Sequence, residues 1–473
     1  MQRKKFWGIF ISAVVLAGFL ATLGLAAYSS HQNDKDVQAF LAVYPFAKGT
    51  KLDDCSLCHP GGSITQGTKT TYYGSCDYCH ITYGLTPPHG QVPLNSYGQA
   101  YKDAGRNEGA IRAIEGFNSD GDGYDNLAEI RGLFYPGDAN DYPGLKPAPT
   151  VVMNLERILE LPSHSQFMLN NATKQLKDDY ARYDGVKIKD LLQSLRMSRK
   201  ATQITVYAPD GFSKTFPIDA PDPQTAPNFQ YDVMGPYPKG YYYGGLDFVN
   251  YAFDPGYPHE DGYPIPDKLY MLLGYLREGD PLDKGRLVPD PGNPGRLVLE
   301  GEGPYRLIVP QKVAGGPDRS SINDPTNDKW KYNSNNDHNA GASVRSIAAI
   351  KVDPLPSGTT DFRWNEGGWN LVDKGRVVIY GAIDPCDFPV IGKIKDNNGK
   401  AIQEVNVSVG LLSLGQIQQA ISDKYGRFHV DLPAGEYILI PSKEGYTFDP
   451  GSISIQISGK GGRFIHFTGA PNP

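Results

Sequence analysis

The chain has 473 residues, a net charge of −6 at pH 7 and a pI near 5.9. This acidic balance excludes nucleic acid as an expected partner, because phosphate binding needs a basic face. The 54 glycines, 38 prolines and 30 tyrosines indicate a folded, β-rich and loop-rich protein, and the length indicates about three domains.

The N-terminus has the pattern of an export segment. Arg3, Lys4 and Lys5 precede 22 uncharged residues from Phe6 to Ala27. At about 1.5 Å per residue these would span roughly 33 Å, enough for a bilayer core. We interpret residues 1–30 as a signal peptide or a membrane anchor formed by residues 6–27, and the sequence permits either. Both interpretations predict an exported protein that lies in the periplasm, on the outer surface or outside the cell. Its contact with the membrane would be made only through this segment.

Two C-x-x-C-H strings follow, 21 residues apart, and contain four of the five cysteines. This pattern attaches c-type haem: the two thiols bind the porphyrin and the adjacent histidine binds the iron. The alternatives are zinc knuckles, for which the histidines are superfluous, and redox disulfides. The sequence therefore predicts two covalently bound haem c groups, held by Cys55, Cys58, His59, Cys76, Cys79 and His80.

The second axial ligand of each iron is less defined by the sequence. His89 lies nine residues after His80 in a Pro-rich loop and is our first candidate. His31, just after the export segment, is the candidate for the other iron. Met153 and His164 are alternatives, as is a ligand from a second subunit, which would make the protein a polymer.

Residues 118–129 fit a 12-residue calcium loop. Oxygen ligands recur at the positions that such loops use, with Gly123 at the sharp turn. The alternative is an acidic turn that caps a helix starting near Leu127. The predicted calcium ligands are Asn118, Asp120, Asp122, the carbonyl of Tyr124, Asn126 and Glu129.

Residues 31–149, which hold these motifs, resemble the small dihaem cytochromes of metal-respiring, multihaem-rich bacteria. The residues that carry the resemblance are the stretch 73–80, which contains the second haem string, the stretch 94–101 (Leu-Asn-Ser-Tyr-Gly-Gln-Ala-Tyr) and the calcium loop. The resemblance implies a small α-rich dihaem cytochrome c domain.

Residues 150–387 resemble the sulfite-oxidase-like, molybdopterin-binding fold, in the stretches 183–192, 204–213 and 301–310. The resemblance implies an α+β domain. In the active enzymes of that family a cysteine binds molybdenum, but no cysteine lies between Cys79 and Cys386. We therefore expect the fold without molybdopterin. Arg306 and Arg345 could hold a phosphate, although lone arginines are more often surface charges.

Residues 388–473 alternate strand patterns with turns and resemble a carboxypeptidase-regulatory-like module, in the stretches 423–432 and 445–450. The resemblance implies a C-terminal all-β sandwich. Cys386, just before this segment, is interpreted as a buried thiol or as the site of an intermolecular disulfide.

The sequence thus predicts a multidomain electron carrier at or outside the cell surface. Its expected partners are redox proteins or an extracellular electron acceptor, with a homo-oligomer or haem polymer as a further expectation. One alternative is a molybdenum-dependent oxidoreductase with an attached haem relay. The other is a structural or adhesive surface protein, so the sequence favours a carrier over an enzyme without excluding either.

Overall fold

The fold was obtained as a computed structural model. It describes residues 35–48, 50–53, 57–58, 62–66, 69–73, 94–172, 178–210, 212–219, 231–237, 239–242, 263–265, 268–318, 332–362, 367–385, 387–411, 415–433, 435–457 and 463–472. Among these residues no helix has the length and apolar character that crossing a membrane requires. The export segment, His31 and Cys386 lie outside the described residues.

The N-terminal unit, residues 35–145, consists of short helices and one hairpin around a small apolar core that includes Phe40, Tyr97 and Ile111. Asn95, Asn107 and Asp125 each begin a helix by accepting a hydrogen bond from the amide three residues on, as helix-capping side chains do. The elements are α1 (Lys35–Val43), a 3-10 turn (Pro45–Ala47), β1 (Gly62–Gln66), β2 (Lys69–Tyr73), α2 (Ser96–Asp103), α3 (Glu108–Ala113) and α4 (Asn126–Gly132).

The large unit, residues 146–385, contains two five-stranded sheets that enclose the main apolar core. Its strands are β3 (Lys146–Pro147), β4 (Thr150–Asn154), β5 (Ser163–Asn170), β6 (Asp179–Lys187), β7 (Gln203–Tyr207), β8 (Ser213–Pro217), β9 (Tyr241–Tyr242), β10 (Tyr263–Pro264), β11 (Leu272–Arg277), β12 (Asp280–Pro281), β13 (Arg286–Asp290), β14 (Asn293–Glu300), β15 (Arg306–Ile308), β16 (Ala349–Asp353), β17 (Thr359–Thr360) and β18 (Arg376–Gly381). Its helices are α5 (Leu155–Ile158), α6 (Ile188–Ser194), a 3-10 turn (Asn339–Ala342) and α7 (Gly367–Asp373).

The first of these sheets has the order β12-β11-β6-β5, with β15 also paired to β11. The second has the order β4-β18-β16-β7-β8, in which β16 and β18 are parallel and the other pairs antiparallel. The pairing of β4 with β18 joins residues more than 220 positions apart, since Thr150 lies opposite Tyr380. This sheet is therefore closed by non-local contacts.

The C-terminal unit, residues 387–472, has two four-stranded sheets, β22-β19-β26-β24 and β21-β20-β23-β25. Side chains alternate along β22, where Phe428, Val430 and Leu432 are buried and the residues between them are more exposed. The strands are β19 (Asp387–Asp396), β20 (Asn406–Leu411), β21 (Gly415–Ile421), β22 (Arg427–Pro433), β23 (Gly435–Ser442), β24 (Tyr446–Asp449), β25 (Ile453–Ile457) and β26 (Arg463–Pro471).

One apolar cluster joins the large unit to the C-terminal unit. Alternate residues of β4 and β18 face opposite ways, so that Met153 and Val377 belong to the main core. Val152 and Tyr380, on the other side of the sheet, share a cluster with core residues of the C-terminal unit such as Val407. Since this sheet is covered on both faces, the two units pack as one body.

A buried group of charges joins the N-terminal unit to the large unit. Lys51 forms an ion pair with Asp141, and its ammonium also donates to Thr360 Oγ1 at 2.9 Å. Thr360 in turn donates to Asp141 Oδ1, whereas the amide of Tyr135 donates at 2.8 Å to Asp141 Oδ2, the oxygen that pairs with Lys51. Burial lowers the pKa of Lys51, while Asp141 and Asp361 oppose that shift. We call Lys51, Asp141 and Thr360 the charged junction.

The predicted fold class is wrong. Among the described residues strands are far more abundant than helices, so the protein is mainly β rather than a small α-rich cytochrome domain attached to an α+β domain and a sandwich. Even in the N-terminal unit the described helices have only six to nine residues and accompany the β1–β2 hairpin. Short helices of this size depend on tertiary packing and do not form a helical module by themselves.

Candidate metal centre

The best-formed site in the described structure is the acidic loop between α3 and α4. Its backbone is shaped by side chains that accept hydrogen bonds from amides two or three residues on. Asn118 Oδ1 accepts from the amide of Gly121 at 2.7 Å, and Asp122 Oδ1 accepts from that of Tyr124 at 2.8 Å. Gly121 and Gly123 have positive φ values, 84° and 107°, which glycine adopts without strain.

Three of the predicted calcium ligands meet in this loop. One carboxylate oxygen each from Asp120, Asp122 and Glu129 lies within 4.8 Å of the others. Asp120 and Asp122 are half-buried, whereas Glu129 is completely buried at the first turn of α4. Asp120 Oδ2, Asp122 Oδ2 and both carboxylate oxygens of Glu129 have no hydrogen-bond partner among the described residues. Three carboxylates that converge, with four unpartnered oxygens among them, are the kind of group that could hold a cation.

The electrostatics of the loop also favour a cation. Burial raises the pKa of Glu129 to about 9, and the charges of Asp120 and Asp122 add to the shift. Burial likewise raises the pKa of Asp120. Without a metal, Glu129 therefore carries a proton at neutral pH, because three adjacent carboxylates cannot all ionise at low cost. A divalent cation would supply the missing positive charge, and hard oxygen ligands suit calcium.

The other predicted calcium ligands are placed differently. The side chain of Asn126 is buried and used by the backbone: its amide donates to the carbonyl of Ile114 at 2.8 Å, and its oxygen accepts from the amide of Ser119 at 3.3 Å. Asn118 accepts from Gly121, as described above. Tyr124 is exposed, and its ring stacks on Tyr142 with centroids 6.2 Å apart. Calcium itself, and its ligation by Asn118, Tyr124 and Asn126, stay predictions.

Of the predicted haem residues only Cys58 is described; Cys55, His59, Cys76, Cys79, His80 and His89 lie outside the described residues. The carbonyl of Cys58 accepts from the amide of Asn95 at 2.9 Å, and the Asn95 side chain donates to the carbonyl of Leu57 at 3.0 Å. A Cβ on Gly98 would come within 2.2 Å of the Cys58 carbonyl oxygen. The start of α2 therefore holds this part of the first string closely.

A buried hydroxyl also lies near Cys58. Tyr97 is 1% exposed, and its hydroxyl has no hydrogen-bond partner among the described residues. Burial raises the pKa of Tyr97, and the charge of Cys58 adds to this effect. An unpartnered buried hydroxyl leaves one hydrogen bond available to a polar group close to Cys58. Haem attachment nevertheless stays a prediction.

Met153 and His164, the alternative candidates for an axial ligand of a haem iron, have structural roles. Met153 is buried in the main core of the large unit. A ring nitrogen of His164 lies 3.1 Å from the carbonyl of Lys268, and the ring packs edge-on against Tyr270. Arg306 and Arg345, for which surface charge was the commoner interpretation, are both buried. Arg306 pairs with Glu302, and Arg345 donates to the carbonyl of Leu299 at 2.9 Å.

Neither a family model nor a curated protein matches this chain. Among solved structures, a streptococcal ancillary pilin is 18% identical over 20% of this chain and 35% of its own, with a TM-score of 0.16. The major pilin subunit BcpA of Bacillus cereus is 8% identical over 66% of this chain and 71% of its own, with a TM-score of 0.18. The group B streptococcus pilus 2b backbone protein is 10% identical over 69% and 96%, with a TM-score of 0.18.

These structural overlaps are too weak to bear on the fold or function of this chain, which also spans only about a third of the streptococcal ancillary pilin that it matches. They do not support the resemblances inferred from sequence. The structures named are pilin proteins, with no cytochrome or molybdopterin-binding protein among them, and the chain is mostly β. Its description as a multihaem cytochrome fused to a sulfite-oxidase-like domain and a carboxypeptidase-regulatory-like module is therefore wrong.

Proposed function

We propose that this protein is an exported structural protein of the cell surface or the extracellular space. The observation that carries the proposal is the way its units are joined. The charged junction fixes the N-terminal unit to the large unit, and one apolar cluster fixes the large unit to the C-terminal unit. Buried contacts between units keep them in fixed positions relative to one another, which suits a structural protein. The export segment supports a location outside the cytoplasm.

The location can be tested on cells that produce the full chain. Added protease should digest the protein on intact cells, or the protein should be recovered from the medium, while a cytoplasmic marker stays protected. A variant with Arg3, Lys4 and Lys5 changed to Glu should remain inside, since the basic residues direct export. Recovery of the unaltered protein with the cytoplasmic marker would contradict the proposal.

Single-electron transfer by covalent haem is the finer candidate function. It depends on the two C-x-x-C-H strings and on the close packing of Cys58 against α2. An exported scaffold with two haems could pass electrons along or away from the surface. The protein would contribute iron ligation and exclusion of solvent around the porphyrins.

The haem prediction is tested by intact mass of the protein purified from a host that matures c-type haem. We expect two haem masses per chain, and one each in the paired variants Cys55→Ala/Cys58→Ala and Cys76→Ala/Cys79→Ala. The variant Cys386→Ala is the control and should keep both. A native chain that carries no added mass would exclude covalent haem while leaving the structural proposal intact.

A further inference from the structure

One short segment connects the acidic loop to the charged junction. We call residues 133–141, which follow α4, the linking segment. It is fixed to α4 where it begins, because the amide of Phe134 donates to the carbonyl of Glu129 at 2.8 Å. The carboxylate of Glu129 meets those of Asp120 and Asp122 in the acidic loop. A single residue of α4 therefore contributes to the acidic loop with its side chain and to the linking segment with its backbone.

The linking segment also contacts the charged junction. The amide of Tyr135 donates to Asp141 Oδ2 at 2.8 Å, and the Tyr135 hydroxyl donates to the carbonyl of Lys51 at 3.0 Å. The ammonium of Lys51 lies 5.4 Å from the centroid of the Phe134 ring and 4.7 Å from that of the Tyr135 ring. Phe134 is buried. Because buried side chains are closely packed, a displacement of the end of α4 changes the contacts of Lys51.

The junction continues into the large unit through Thr360. Its side chain contacts both Lys51 and Asp141, and its carbonyl accepts from the amide of Ala148 at 3.0 Å. The amide of Lys146 donates at 3.3 Å to the carbonyl just before β17. A continuous series of hydrogen bonds and ring contacts thus connects the acidic loop with the strand pair β3–β17 of the large unit.

We propose that calcium in the acidic loop strengthens the attachment of the N-terminal unit to the large unit. Without a cation, the three carboxylates of Asp120, Asp122 and Glu129 repel one another, which disfavours their close approach at the first turn of α4. A cation between them would fix that turn. Since α4 has only seven residues, its last turn would be fixed too, and the linking segment would hold its two aromatic rings against Lys51.

The coupling is thermodynamic. Calcium strengthens the attachment only to the extent that it binds the attached arrangement more tightly than the loosened one. The inference adds control by calcium to the proposed structural role, and it depends on the predicted calcium site.

Hydrogen exchange of the full chain, measured by mass spectrometry with calcium or with EDTA, tests the coupling. Residues 146–149 are a suitable reporter, because Pro147 and Pro149 have no amide hydrogen and the amides of Lys146 and Ala148 both donate towards β17. We expect about 10 mM calcium to slow exchange in residues 118–135 by up to about 100-fold, for an affinity of about 0.1 mM. Exchange in residues 146–149 should slow by at least about threefold, since part of the gain reaches the large unit.

Variants at two neighbouring threonines show whether the charged junction carries the effect. Thr360→Val removes the hydroxyl at the junction, so calcium should still slow exchange in residues 118–135 but no longer in residues 146–149. Thr359→Val is the matched control, because the hydroxyl of Thr359 donates at 2.6 Å to the carbonyl of Pro356 within the large unit. It should keep both responses, whereas Glu129→Gln should lose both. Circular dichroism establishes that each variant is folded.

The native chain by itself can overturn the inference. Exchange that calcium slows only in residues 118–135, or in neither segment, would do so without any variant. A calcium response of residues 146–149 that persists in folded Thr360→Val would also overturn it, because the effect would then bypass the junction. None of these results bears on export, so the two proposals fail separately.

Discussion

Replacing Lys51 with methionine is expected to destabilise the protein by about 3–5 kcal/mol, the usual cost of leaving one partner of a buried ion pair without its counter-charge. The substitution removes the ammonium that pairs with Asp141 and leaves this buried carboxyl group beside Thr360. The ammonium also contacts the Tyr135 ring, 4.7 Å from its centroid, so packing is lost as well. Chemical denaturation followed by circular dichroism measures the loss.

A double-mutant cycle separates the charge from the packing. Asp141→Asn keeps an oxygen that can accept from the Tyr135 amide, but it removes the charge. The double variant Lys51→Met/Asp141→Asn should therefore recover a substantial part of the stability lost in Lys51→Met. Lys48→Met, at an exposed lysine nearby, is the control and should have little effect. If Lys51→Met and Lys48→Met were equally stable, the junction would not hold the units together.

Calcium is expected to stabilise the folded chain, and Glu129→Gln to remove that gain. With an affinity of about 0.1 mM, as in extracellular calcium modules, 10 mM calcium would add about 2.7 kcal/mol. Glutamine resembles protonated glutamate, so the stability of the metal-free protein should change little. Thermal unfolding with calcium and with EDTA separates the stabilisation by calcium from the effect of the substitution on the metal-free protein. Asp103→Asn removes an exposed charge from α2 and should retain the full calcium response.

The pH dependence of calcium binding has a definite sign. In the metal-free fold the pKa of Glu129 is raised to about 9, so a proton must leave before the carboxylate binds the metal. Calcium affinity should therefore rise with pH between neutrality and about 9, with proton release measurable by calorimetry in buffers of different ionisation enthalpy. Asn118→Asp should increase the affinity, since it adds a charge at the first loop position. Calcium binding that Glu129→Gln leaves unchanged would exclude this site.

The sequence predicted the acidic loop best, because the ligand positions are close together in the chain. Asp120, Asp122 and Glu129 are brought together by two glycine turns and the start of one helix, all within twelve residues. Asn126 stays a predicted calcium ligand, and the structure adds a role that was not predicted: its side chain joins the carbonyl of Ile114 to the amide of Ser119. That role depends on the packing of α3 against the loop and has no signal in the local spacing.

The fold class was predicted wrongly because short motifs were given more weight than the strands that follow them. The two C-x-x-C-H strings and the calcium loop occupy the first part of the chain, and their resemblance to cytochromes led us to expect an α-rich domain in residues 31–149. Most described residues beyond position 146 belong instead to sheets or their connections. Pairings such as Thr150 with Tyr380 join residues far apart in sequence, and periodicity within one strand does not show its partner.

By itself, the sequence determined local patterns of this protein: a basic and apolar N-terminus that predicts export, two haem-type strings and the acidic spacing of the loop. Only the tertiary structure decided how distant residues meet. It placed Lys51 on Asp141 and Thr360, buried Arg306 beside Glu302, and left Phe464 and Ile391 side by side on an exposed sheet. The physical reason is how far apart in the sequence the contacting residues lie. Turns and metal loops are set within a few residues, whereas buried charge pairs and open faces depend on how sheets pack.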